Sequence, residues 1–157
     1  RRGTAVLIAG TAMLIVVVLS LLAGYSYDTV ASGSMAPEIG VGDLLISGPV
    51  DPEDIEVGDV IIFHSPHGMH ICHRVISVDH EAGTVRTKGD ANDAPDPYTT
   101  PFNRIEGKVI GNVPNLGYVA SFLSSIHGLM AIAAIGIALF LFGGSNGKDD
   151  ARGKDKG

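Results

Sequence analysis

A single cysteine, Cys72, serves the whole 157-residue chain, which excludes any intrachain disulfide even in an oxidising compartment and leaves packing to hold the fold. Basic residues are scarce in the middle. Residues 25–117 hold only Arg74, Arg86, Lys88, Arg104 and Lys108 against fourteen acidic side chains. A stretch so acidic has no basic patch with which to neutralise phosphates, so nucleic acid is excluded as a partner. A sustained helical period is also lacking there, and glycine and proline punctuate the stretch about every ten residues.

Two long apolar runs flank this middle. Residues 5–23 carry no charge and only Thr11 and Ser20 as polar side chains, a length that spans roughly 28 Å as a helix. The second run, residues 119–142, is interrupted by Ser121, Ser124, Ser125 and His127, and a crossing there starts near Ser121. Arg1, Arg2, Lys148, Arg152, Lys154 and Lys156 lie outside the two runs. Basic residues beside membrane helices stay on the cytoplasmic side, so both termini are expected there and the middle outside. Arg1-Arg2 before an apolar run also resembles a secretory signal, but the run exceeds the usual length and a second follows, which favours a retained anchor.

The middle reads as strands and turns. Val41-Gly42-Asp43-Leu44-Leu45-Ile46 is echoed by Val57-Gly58-Asp59-Val60-Ile61-Ile62, each a Gly-Asp turn feeding a branched apolar run. Further strands are expected at residues 69–78, 84–88 and 107–113. Strand alternation over 69–78 puts His73 with Ile71 and Val75, and His70, Cys72 and Arg74 on the other face.

Ser32-Gly33-Ser34 reads locally as a connector, yet Met35 and Ile39 are apolar and Pro37 stiffens the backbone after Ser34. A serine hydroxyl becomes a competent nucleophile only beside a base, for which six histidines and Lys88 are candidates. A carboxylate that fixes the base's tautomer improves it, and the loop after Lys88 offers Asp90, Asp93 and Asp96. That loop's acidic spacing does not match a calcium-binding EF-hand. His64, His67, His70 and His73 recur every third residue with Cys72 among them, but a strand and turn scatter them over both faces, so no metal site is expected.

Together these segments resemble the type I signal peptidases, specifically the archaeal and endoplasmic-reticulum (Sec11-like) branch. Ser32-Gly33-Ser34-Met35-Ala36-Pro37 is similar to the family's nucleophile box, Gly42-Asp43-Leu44-Leu45 to the next element, and Gly58-Asp59-Val60-Ile61-Ile62-Phe63 to the third. His73-Arg74-Val75-Ile76 is similar to the box in which bacterial members carry Lys-Arg. Thr87-Lys88-Gly89-Asp90-Ala91-Asn92 is similar to the last, after which the resemblance places the catalytic carboxylate at Asp96, with Asp90 as a supporting acid. Here Pro95 precedes Asp96 where the family often has paired aspartates, and Asp93 is an additional acid.

The resemblance implies a mainly β catalytic domain with two flanking transmembrane helices. Residues 1–24 would be the N-terminal anchor, 25–117 the extracytoplasmic catalytic domain, 118–143 a C-terminal transmembrane helix and 144–157 a charged cytoplasmic tail. It implies a cell-membrane serine endopeptidase with nucleophile Ser34 and base His73. The Ser34 N–H and the Ser32 hydroxyl would form the oxyanion hole, and no cofactor is needed. Its partners would be preprotein signal peptides and membrane lipid, with room for accessory subunits. The rivals are a noncatalytic, membrane-anchored β binding module and a serine–lysine enzyme using Lys88.

Overall fold

The computed structural model describes residues 2–143; the expected charged tail, residues 144–157, lies outside the described residues. The chain divides into two compact units, residues 1–118 and 119–157.

The first unit opens with helix α1 (Arg2–Leu22). It ends with two nested bonds, from the Gly24 N–H to the Leu21 carbonyl and from the Tyr25 N–H to the Ser20 carbonyl, which satisfy carbonyls that a helix end leaves open. The Ser20 hydroxyl, 2.7 Å from the Tyr27 hydroxyl, ties the helix to the first strand.

Seven strands follow: β1 (Ser26–Thr29), β2 (Leu44–Gly48), β3 (Val60–His64), β4 (His70–Asp79), β5 (Thr84–Lys88), β6 (Thr100–Pro101) and β7 (Ile105–Val113). They form one sheet in the order β1-β2-β7-β3-β4-β5-β6, and every pairing is antiparallel. Three bulges, in the β2–β7, β3–β7 and β4–β5 pairings, add the local twist that curls a sheet. The five expected strands are present within a residue or two at their ends. The edge strands β1 and β6 are not apparent from sequence, being short and, in β6, ending in a proline that only an edge tolerates.

Both faces of the sheet are packed. Ile61 and Phe63 join Ile55, Val75 and Val85 in one apolar cluster, whereas Ile62, between them, joins Met35, Ile39 and Leu45 in another. Strand alternation produces this division. It also explains why Met35 and Ile39 are apolar in a loop: they cover the second face.

The two Gly-Asp echoes are turns with positive φ at Gly42 (+86°) and Gly58 (+103°), a conformation that strains residues with a Cβ. Asp43 then closes the loop that carries Ser34. Its carboxylate accepts bonds from the Gly40 N–H, the Asn115 N–H and the Asn112 side chain, and those backbone donors hold its pKa below the usual value. Val30 and the Gly42–Asp43 turn exchange backbone bonds at the base of the loop.

Helix α2 (Leu116–Ser124) follows β7 and enters the second unit, and α3 (Ile126–Gly143) makes up the rest of that unit's described part. Among the described residues no single helix is long and apolar enough to cross a membrane, where the sequence leads one to expect two spans. The second apolar run reaches that length only as the pair α2 and α3, bent by 77° at their junction. The break has a local cause. The Ser125 hydroxyl accepts the Gly128 N–H and so caps the start of α3, and Gly128 approaches the Phe122 carbonyl so closely that an added Cβ would overlap it.

Candidate active site

Ser34 lies in the loop between β1 and β2, half-buried beside the anchored Met35. Its backbone is gripped from across the molecule, because the Ala91 N–H donates to the Ser34 carbonyl at 2.9 Å. That approach is open only because residue 89 is glycine: a Cβ there would stand 2.6 Å from the Ser34 carbonyl oxygen.

His73 lies in β4 opposite Ile61, on the face that alternation assigns it, and only 7% of it is exposed. Its Nε2 is 3.1 Å from Ser34 Oγ and its Nδ1 is 2.8 Å from Asp96 Oδ2. Asp96 is likewise 7% exposed. Thr87 Oγ1 donates to the same carboxylate oxygen at 2.6 Å, while the Asp96 N–H donates to the Thr87 carbonyl. A carboxylate can only accept, so it orients His73 with its proton on Nδ1 and leaves Nε2 to accept the Ser34 proton. Phe63 packs edge-on against the imidazole.

The loop's other two acids do not reach His73. Asp90 forms a two-pronged ion pair with Arg74, at 2.9 and 2.7 Å, and Arg74 also holds Glu38 and the Gly58 carbonyl. The guanidinium keeps the Asp90 carboxyl below its usual pKa, chiefly through these hydrogen bonds. Asp93 is exposed. Lys88 pairs with Arg74 across β4 and β5, on the sheet face opposite His73 and Thr87. Ser32 Oγ lies 3.4 Å from Ser34 Oγ.

These groups open onto a cleft of about 400 Å³. Val30, Ala31, Met35, Ile39 and Ile62 give it an apolar lining, with Ser32, Ser34 and His73 among its walls. Cys72 also lines it, but burial first, then Asp28 and Asp90, push its thiol pKa up to about 12, so it stays a protonated thiol.

Sequence reasoning missed Thr87 as the second partner of Asp96, and Gly89 and Ala91 as the grip on Ser34. Thr87 could have been found, since it is two residues beyond the buried Val85 on one strand. The contact between Ala91 and Ser34 joins distant segments and has no local signal.

A hydroxyl, an imidazole and a carboxylate in series is the arrangement of serine hydrolases. The chain belongs to the signal peptidase family (signal peptidase, peptidase S26), whose profile matches residues 2–92. It is 33% identical over 128 residues to the signal peptidase complex catalytic subunit SEC11 of Tuber melanosporum, covering 69% of this chain and 68% of that one. It is 34% identical over 76 residues to signal peptidase I W of Bacillus subtilis, covering 46% of this chain and 40% of that relative's length.

Proposed function

We propose that this chain is a membrane-bound serine endopeptidase that removes N-terminal signal peptides from secreted preproteins, with Ser34, His73 and Asp96 as its catalytic groups. The observation that carries it is the unbroken hydrogen-bonded series Ser34–His73–Asp96 at the wall of an apolar cleft. Ser34 Oγ attacks the scissile carbonyl while His73 Nε2 takes its proton, and the imidazolium returns that proton to the leaving amine. Water, deprotonated by the same nitrogen, then releases the acyl group. Asp96 holds the imidazole's tautomer and balances its transient charge, and Thr87 holds Asp96.

The oxyanion would be met by the Ser34 N–H and the Ser32 hydroxyl; loss of one such donor costs about 2.7–4 kcal/mol. The cleft's apolar walls suit an extended peptide with small side chains before the cut. His73, standing where bacterial members of the family carry lysine, favours the archaeal and endoplasmic-reticulum branch. The Tuber relative is described as the catalytic subunit of a complex, which supports accessory subunits here as well.

Membrane anchoring is supported by α1, where Met13, Leu14, Val16, Leu19 and Leu22 are each more than half exposed and would gain from lipid. Anchoring confines enzyme and substrate to one surface, with residues 25–117 outside and both ends in the cytoplasm.

The test is processing of a purified preprotein by the full chain in lipid vesicles. Ser34→Ala, His73→Ala and Asp96→Asn should each lower the rate by roughly 10³-fold or more, while Lys88→Ala, Asp93→Asn and Asp90→Asn retain most of it. Parental turnover by Ser34→Ala would refute the nucleophile, and a greater loss in Lys88→Ala than in His73→Ala would give the base to lysine.

A further inference from the structure

The geometry points to a second site, a divalent transition-metal site of the zinc type formed by His64, His70 and Glu106. The three side chains come from three adjacent strands. His64 and His70 are directly opposed in the β3–β4 pairing, so their side chains share one face, and their rings stand 4.4 Å apart. The hairpin between them is fixed: Ser65 and Met69 exchange backbone and side-chain bonds, and Gly68 bonds back to Ser65. Glu106 reaches the same face because of the bulge between β3 and β7. Ile62 pairs with Gly107 and Phe63 with Ile105, which leaves Glu106 as the extra residue.

Glu106 Oε1 lies 2.7 Å from His64 Nδ1 and 3.1 Å from His70 Nε2, and one donor atom from each residue falls within 4.8 Å of the others. Bonds of about 2.1 Å in tetrahedral geometry separate neighbouring donors by about 3.4 Å, so small rotations of these side chains suffice to admit an ion. Two imidazoles and a carboxylate are the donor set that suits zinc, with water completing the shell. The side chains are 43, 55 and 37% exposed, which gives an ion direct access from solvent.

The site departs from what histidine spacing suggests. His67 lies in the exposed turn, His73 faces the opposite side of the sheet, and the Cys72 sulfur is not among the converging donor atoms of the described residues. Only His64 and His70 come together, because they straddle a hairpin, and their third partner stands far away in the chain. It is also separate from the Ser34 site, although His70 contributes to the cleft wall.

Calorimetric titration of the full chain in detergent with ZnCl₂ tests it. One saturable site per chain is expected, weakened at least about tenfold in His70→Gln and in Glu106→Gln and unchanged in His67→Gln. Zn²⁺ should raise the thermal midpoint of the parent protein and not that of Glu106→Gln. Co²⁺ in place of Zn²⁺ should give the parent protein a visible absorption band. Absence of saturable binding, or binding that survives both substitutions within threefold, overturns the proposal.

Discussion

Asp90 and Asp96 belong to one loop and have different partners, a guanidinium for the first and an imidazole for the second. Arg74 holds Asp90 ionised below its usual pKa of 3.8. A carboxyl with a depressed folded-state pKa stabilises the fold fully above its unfolded value, and that contribution is lost as the pH falls through the folded one. Asp90→Asn should therefore unfold more easily than the parent at neutral pH, by about 1 kcal/mol or less. The gap should close as the pH is lowered below 3.8, which thermal unfolding across pH would measure. At this scale the sequence is legible where a side chain has a local signature. Ser34 stands out in its box and His73 by strand alternation, whereas Asp96 is distinguishable from Asp90 and Asp93 only through family resemblance. The reason is that a carboxylate's partner is set by tertiary contact.

The strands with branched apolar runs are readable from period and turns. What escapes are the two edges, too short to show a period, and the break in the second apolar run. Ser121, Ser124, Ser125 and His127 interrupt that run, but hydropathy cannot sense that Ser125 caps one helix while Gly128 admits the carbonyl of Phe122. Gly128→Ala would put a Cβ 2.1 Å from that oxygen, so the bend should open. Spin labels at positions 119 and 138, in a chain with Cys72 replaced, should move toward the about 28 Å of a continuous helix. An unchanged distance would show that the bend does not depend on that approach.

For the whole molecule, the acidic middle and the basic ends predict an orientation. A cysteine-accessibility scan with one probe in the middle domain and another after Lys148 should label them from opposite sides of the membrane; labelling from the same side would overturn two crossings. The segment from Gly89 to Asp96 has its own meaning at this scale. It grips Ser34 through Ala91 and His73 through Asp96, so the serine and the imidazole of the proposed catalytic series share one support. The two side chains therefore have one anchoring segment in common, as two lenses have on a single rail. A cut between Ala91 and Asp96 would put the lenses on separate rails, leaving Ser34 and His73 without their shared anchor.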